Sequence, residues 1–376
     1  MTPASTRRAA LLALALTATA CDLVKLASDP KPRFQETWNL PGPDTRMSVA
    51  NLLPAGGTVT ILPDSSAFTL KIDSTTISVN LGPNCPACVV LNGTSAPKPA
   101  FTLAPSSSTS LPTDIVSAAI TAGQIDIALK NGLTFDPLYV NTGVGATTQG
   151  YMVIVVRSGS VVLGRDSVRG AAVASGTQNS PFAPGTTLNR SIILTTGTVT
   201  GNLTVDVTVN SPLGDHPVPI DVSKSFSATA KVPNINVANV VMNIPSRTFD
   251  SGGKDSVSLA TKGDFVVGMG LDMTITNPFP TVGGALSMVF AWGTGPTQNI
   301  TKSVTLPSGC VTVTCVGTST VVLDSTETQK LLQGGDKVSI KLTGNVTSAS
   351  PVSVTPKQEV AVSNRIRITV RTPSGE

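Results

Sequence analysis

Leu271-Asp-Met-Thr-Ile-Thr-Asn277-Pro278 decides the fold class. Its apolar side chains fall at 271, 273 and 275 with polar residues between them. That is the two-residue period of a strand with one buried face, not the 3.6-residue period of a helix. Asp272 stands one residue in, and Asn277 closes the run. The same arrangement occurs earlier in Ile125-Asp-Ile-Ala-Leu-Lys-Asn131, and slightly shortened in Val205-Asp-Val-Thr-Val-Asn210-Ser-Pro212. Either the chain repeats a unit, or three amphipathic strands share a common pattern.

Strand patterns fill most of the remaining sequence. Thr58 to Leu62, Phe68 to Ile72 and Ile77 to Val79 alternate in the same way, and further strands run at Ile192 to Leu194, Leu203 to Val209 and Ala228 to Val232. Met152 to Val156 and Val161 to Leu163 flank Ser158-Gly159 as a hairpin. Helical signals are few. One turn is expected at Ser48 to Leu53. One short helix is expected at Ser325 to Gln333, with Asp324 and Glu327 at capping-box spacing and Gly334-Gly335 as its stop. The predicted fold is all-β: two or three immunoglobulin-like antiparallel β-sandwich units in an elongated array, with very few short helices.

Composition agrees. Charged residues make up 13% of the 376-residue chain against 40% apolar ones. Charge is therefore about half its usual share, and strand- and turn-favouring Thr, Ser, Gly, Pro and Asn replace it. The net charge is +4 and includes Arg7 and Arg8 of the leader. No basic cluster could track phosphates, so nucleic acid is excluded as a partner. Proline and glycine set the expected boundaries. Residues 1–20 form a leader and 21–45 a tether in which Phe34 and Trp38 dock on the body. Residues 46–97 form an N-terminal β unit and 98–113 a Pro/Ser-rich linker. A central sandwich follows at 114–247 and a C-terminal one at 248–376.

The leader writes an address. Arg7 and Arg8 precede an apolar run from Ala9 to Ala20 broken only by Thr17 and Thr19. Those twelve residues would span about 18 Å as a helix, too short for a bilayer core of about 30 Å. The run ends Ala18-Thr19-Ala20-Cys21, which resembles the lipobox of bacterial lipoproteins, with Ala18 where that family usually has Leu. The resemblance implies cleavage before Cys21, lipid on its sulfur and firm attachment to a membrane. Ala18-Thr19-Ala20 also satisfies an ordinary secretory cleavage site. Asp22 resembles the inner-membrane retention signal of enteric bacteria, a rule that does not transfer across lineages, so the membrane stays open.

Five cysteines are present, and setting Cys21 aside leaves Cys85, Cys88, Cys310 and Cys315. An even remainder in an exported chain reads as disulfides. Pro86 suits a turn between Cys85 and Cys88. Cys310 and Cys315 would lie roughly 16 Å apart on a straight strand, so a local bond requires the segment to bend back. A thioredoxin-type redox pair at Cys85/Cys88 would need a helix after it, where Val89-Val90-Leu91 reads as strand. A four-thiol zinc site is less compatible with an oxidising compartment.

Catalytic chemistry has little to work with. His216 is the only histidine and lies in a Gly214-Asp-His-Pro217 loop, where it is expected to be solvated. Asp126, Asp206 and Asp272 could supply paired carboxylates for glycoside cleavage, but each sits mid-strand at a solvent-facing position, and only 4% of residues are aromatic. Asp250-Ser-Gly-Gly-Lys-Asp255 is oxygen-rich, but it lacks the Asp-x-Asp spacing of a calcium loop and contains Lys254. No cofactor or metal is expected.

The Asn277-Pro278 strand end resembles late-embryogenesis-abundant and water-stress-response (WHy-type) sandwich domains. It also resembles β-domains of uncharacterised envelope lipoproteins. The resemblance implies a sandwich and brings no active site. The sequence thus points to an extracytoplasmic lipoprotein, non-enzymatic, with a structural or partner-binding role. The alternatives are a carrier for a lipidic or apolar ligand and, less favoured, a glycan-active or other hydrolase. Its partners would be the membrane, through the lipid, and an envelope protein or lipid.

Overall fold

The structure, a computed structural model, describes residues 35–42, 44–139, 150–170, 182–251, 256–258, 266–292, 298–311, 313–333 and 337–371. The leader, Cys21, Phe34, Gly252 to Asp255 and Gly334-Gly335 lie outside them. The described chain enters through β1 (Gln35–Pro41) and β2 (Thr45–Ser48), followed by a 3-10 turn at Val49–Leu52. Next come β3 (Val59–Ile61), β4 (Phe68–Asn80), the short helix α1 (Pro86–Val90), β5 (Ser95–Pro97), β6 (Phe101–Leu103) and β7 (Ser106–Ser110). The long β8 (Ile115–Asn131) opens a run through β9 (Tyr151–Ser158), β10 (Val161–Arg169), β11 (Thr187–Ile193), β12 (Gly197–Thr200) and β13 (Asn202–Ser211). That run ends with β14 (Pro217–Pro219) and β15 (Ser225–Met242). The remainder comprises β16 (Arg247–Asp250), β17 (Ser256–Ser258), β18 (Val266–Asn277), β19 (Val282–Trp292) and β20 (Gln298–Leu306). Last are β21 (Cys315–Leu323), α2 (Ser325–Gln333), β22 (Lys337–Ser348), β23 (Val352–Val354) and β24 (Glu359–Arg371).

The protein is all-β: strands cover 64% of the described residues, with antiparallel pairing and two short helices among them. Two sandwiches account for nearly all strands. In sandwich I, the sheet β11-β8-β15-β4-β3 faces β10-β9-β13-β6. In sandwich II, β1-β24-β18-β21 faces β16-β22-β19-β20. Alternation drives each strand: Ile125, Ile127 and Leu129 of β8 and Leu271, Met273 and Ile275 of β18 are all buried. The buried side chains of both sandwiches form one continuous cluster.

The two sandwiches repeat one topology. β8 pairs with β11/β12 and β15 while β9 pairs with β10 and β13. In the same chain order, β18 pairs with β21 and β24 while β19 pairs with β20 and β22. The edges correspond as well. β6 and β7 flank β13 as β16 and β17 flank β22, and β4 flanks β15 as β1 and β2 flank β24. Since β1 and β2 belong to sandwich II and β3 to β15 to sandwich I, the first sandwich is inserted into the second.

This nesting corrects several expectations. Residues 46–97 are not a separate unit: β2 joins sandwich II, and β4, which must bury an apolar face, lies against β15. Residues 98–113 are not a linker, because β6 and β7 both pair with β13. The expected tether has become the edge strand β1 by Gln35, with Trp38 half exposed opposite Ile368. The central and C-terminal sandwiches therefore begin well before residues 114 and 248 in the strands they use. The Val205 to Asn210 run is not a third copy: it belongs to β13, in the sheet opposite β8, and its Asn210 bonds the Tyr151 hydroxyl instead of a loop. Val89-Val90 continue as helix α1, not as strand.

Other expectations stand. The hairpin turns at Gly159, whose φ of 57° favours glycine. The box at α2 closes from both sides: the Asp324 N–H donates to Glu327 at 2.9 Å, and the Glu327 N–H donates to Asp324 at 2.8 Å.

One end of each sandwich meets the other. Arg247 pairs with Asp114 at 2.6 Å, the Ile244 N–H donates to the Ser348 hydroxyl at 2.8 Å, and β23 pairs with the last residues of β15. The Asn131 end of sandwich I faces away from this junction, as does the Val266–Arg371 end of sandwich II.

Candidate functional site

The Asn131 end of sandwich I gathers the groups most able to act on a ligand. Asn131 is fully buried and organises that end. Its Nδ2 donates to the Phe135 and Phe182 carbonyls at 3.0 and 2.7 Å, and its Oδ1 accepts from the Leu133 N–H at 2.9 Å. The loop after β8 is thereby folded back and brings in Asp136. Asp136 accepts from the Leu138 and Phe182 N–H groups at 2.8 and 3.0 Å. Phe135 packs edge-on against Phe101, and Phe182 against Phe226.

Lys98 enters from the other side. It is 1% exposed, its Nζ donates to the Pro137 carbonyl at 3.2 Å, and its own carbonyl accepts from the Gly214 N–H at 2.8 Å. A Cβ on Gly214 would lie 2.9 Å from the Lys98 Cβ, so only glycine lets the 212–216 segment cross there. Burial pushes the Lys98 ammonium down to about 8, and the neighbouring Asp136 charge opposes the fall only in part. A cavity of about 170 Å³ lies beside it, walled by Phe135, Asp136, Tyr139, His216 and Val218 as well as Lys98. His216 is on that wall rather than free in solvent: its Nδ1 lies 3.3 Å from the Tyr139 hydroxyl and 2.5 Å from Asp215. Half of its side chain remains exposed.

The three strand aspartates do not converge. Asp126 accepts from Ser191 at 2.6 Å and stands opposite Lys231; Asp272 accepts from Thr320 at 2.8 Å and stands opposite Arg365. Asp206, in the other sheet of sandwich I, accepts from Ser106 at 2.6 Å and pairs with Arg157. Each carboxylate thus accepts from a hydroxyl on one neighbouring strand; Asp206 is ion-paired to Arg157 on the other, while Asp126 and Asp272 stand in register with Lys231 and Arg365. Asp250 pairs with Lys341 at 2.7 Å. Among the described residues no three of His, Cys, Asp and Glu converge as a metal cage would require.

The cysteines pair locally. Cys85–Cys88 and Cys310–Cys315 are disulfides with Cα separations of 5.1 and 5.7 Å. Both Cys85 and Cys88 are buried, at 1% and 0% exposure, which suits a staple rather than an exchanging redox pair.

A larger groove of about 680 Å³ crosses the outer face of the β24 sheet, lined by Asn39, Asp272, Thr274, Thr320, Ser363 and Arg365. Its polar walls are open and Asp272 is already bonded there, so nothing in it desolvates a ligand. The smaller cavity is the stronger candidate. Sequence reasoning named only His216 of its residues. Lys98 was lost inside an apparent linker, and Asp136 carried no signal beyond its place shortly after Asn131.

No protein-family model matches the chain, and no curated protein does. Among solved structures it is similar to a Parabacteroides distasonis protein described as secreted: 11% identity, 89% of this chain and 99% of that one covered, TM-score 0.29. It is also similar to the N-terminal CBM22-1-CBM22-2 tandem domain of Paenibacillus barcinonensis Xyn10C, at 8% identity and TM-score 0.17, covering 88% of this chain and 98% of that one. Broad bean stain virus gives 9% identity and TM-score 0.19, with 85% and 94% covered. Likenesses at these scores carry no argument about function.

Proposed function

We propose that this chain is an envelope lipoprotein, held to a membrane by lipid on Cys21, with a structural or partner-binding and non-catalytic role. The observation that carries the reading is the direction in which the chain enters. Gln35 pairs with Arg371 at the end of sandwich II opposite the junction, while the Lys98 cavity opens at the end of sandwich I beyond it. That arrangement supports the reading: a lipid-bearing N-terminus joined at Gln35 would leave the cavity at the opposite end, free to meet a partner. Two disulfides support an oxidising, extracytoplasmic compartment. The lipobox-like Ala18-Thr19-Ala20-Cys21 supports the anchor.

A carrier for lipidic ligands is the second reading, and it has less support. The void between the sheets of sandwich II, lined by Leu271, Phe290, Leu331 and Ile366, holds about 20 Å³, room for one water rather than an acyl chain. The test of the first reading is fractionation. The wild-type chain should partition into detergent and Cys21→Ala should release it. Membrane association unchanged in Cys21→Ala would reject the anchor.

A further inference from the structure

We propose that Lys98 is a carbonyl-capturing amine: the cavity at the free end of sandwich I takes a small aldehyde, which condenses reversibly with the Lys98 Nζ to an imine. The proposal does not depend on the lipid anchor.

Three features of the site carry it. First, the lysine is among the residues lining a cavity, although only 1% of its own surface is exposed. A lysine kept only to neutralise Asp136 would need no 170 Å³ of space next to it. Second, its charged form is poorly served. The Nζ bond to Pro137 is to a neutral carbonyl at 3.2 Å, and Asp136 already accepts two backbone N–H groups. Burial accordingly shifts Lys98 toward the free amine. At pH 7 about a tenth of it would be unprotonated, against well under a thousandth of an exposed lysine. Third, the walls suit a small carbonyl compound. Phe135 and Val218 give an apolar surface, and Tyr139 and His216 place polar atoms where an aldehyde oxygen could be met.

The step balances without a further reagent. The neutral amine attacks the carbonyl carbon to give a carbinolamine, the carbon–oxygen bond then breaks, and a carbon–nitrogen double bond forms. Both amine protons leave with the oxygen as water. The Asp136 carboxylate, close enough to act on the Lys98 charge, can relay a proton. Hydrolysis returns the aldehyde unchanged.

The test is reductive trapping on the intact wild-type protein. Propanal at limiting concentration with cyanoborohydride at pH 7, followed by peptide mass analysis, should place at least tenfold more label on Lys98 than on exposed Lys71, Lys130 or Lys231. Lys98→Met should abolish the fast phase and leave the slow labelling of those lysines unchanged. A bulky aldehyde such as 2-naphthaldehyde should label Lys98 far more slowly than propanal. Label on Lys98 no greater than on the exposed lysines would overturn the proposal. So would equal rates for the two aldehydes, which would mean that Lys98 reacts only through opening of the fold.

Discussion

Asn131 and Asn277 are equivalents in two copies of one architecture. Each ends the first strand of its run, each is fully buried, and each accepts from the N–H two residues on, Leu133 or Phe279. Each also donates from Nδ2 to its own following loop and to the loop before the fourth strand, through Phe182 in one sandwich and Pro307 in the other. A buried asparagine thus bolts two loops together at the same place in both sandwiches, with carbonyls that would otherwise be orphaned as its partners.

Asn131→Ala and Asn277→Ala should therefore be costly. Each removes at least three bonds and leaves buried backbone groups unmatched, a loss of about 3 kcal/mol. Thermal unfolding should show both losses. A double variant should show nearly their sum, because the two sites share no partner. Asn131→Ala should also blunt the trapping of Lys98, since the loop carrying Asp136 hangs from that asparagine.

Lys98 predicts an alkaline rise in stability. Unfolded, it titrates near 10.5; folded, about 8. Below pH 8 both states are charged and the native state carries the full desolvation cost. Between 8 and 10.5 the native state releases its proton first, so stability climbs with pH and levels off above. The whole span amounts to roughly 3 kcal/mol. Urea unfolding of wild type and Lys98→Met at pH 7.5, 9 and 10.5 checks it: the difference between them should shrink as pH rises.

Asp166 and Asp206 predict an acid limb. Arg190 holds the first, and Arg157 with Ser106 the second, below the usual carboxylate range. Their contributions are complete above pH 3.8 and vanish as pH falls through the lowered folded values. Each is less than about 1 kcal/mol, because the pairs are partly solvated. Comparing denaturation midpoints of wild type and Asp206→Asn at pH 5 and pH 2.5 should show a gap at the first pH that has narrowed at the second.

The disulfides should fall in order. Cys310 is only half buried, whereas Cys85 and Cys88 are sealed in the core. Mild reductant under native conditions, with alkylation and peptide mapping, should modify Cys310 and Cys315 first and spare Cys85 and Cys88. Both loops are short, so loss of either staple costs about 2 kcal/mol in chain entropy.

What the sequence made legible was local. Alternation located β8, β13 and β18, and the spacing of Asp324 and Glu327 located α2, because each signal lies within a few residues. Two of the three Asp-containing runs proved equivalent, and alternation alone could not have said which. Val205 to Val209 alternates as well as Leu271 to Ile275 does, and only pairing partners tell them apart. Pro97, Pro99 and Pro105 read as a linker because short edge strands tolerate proline and carry little pattern. Lys98 was invisible for the opposite reason: a lysine is expected at the surface, and its burial depends on Gly214 more than a hundred positions away. The candidate site was built from such distant meetings, so of its walls only His216 was named beforehand.

The nesting of one sandwich in the other also sets an order of assembly. Thr37 and Thr369 touch across 332 positions, and among the described residues β1 and β2 pair with no strand other than β24. As the chain emerges from its N-terminus onward, the inserted sandwich can close as soon as Met242 arrives. The first described strands, β1 and β2, must wait unpaired for the last strand to come home. Loss of β24 would therefore leave the inserted sandwich standing on an unravelled base.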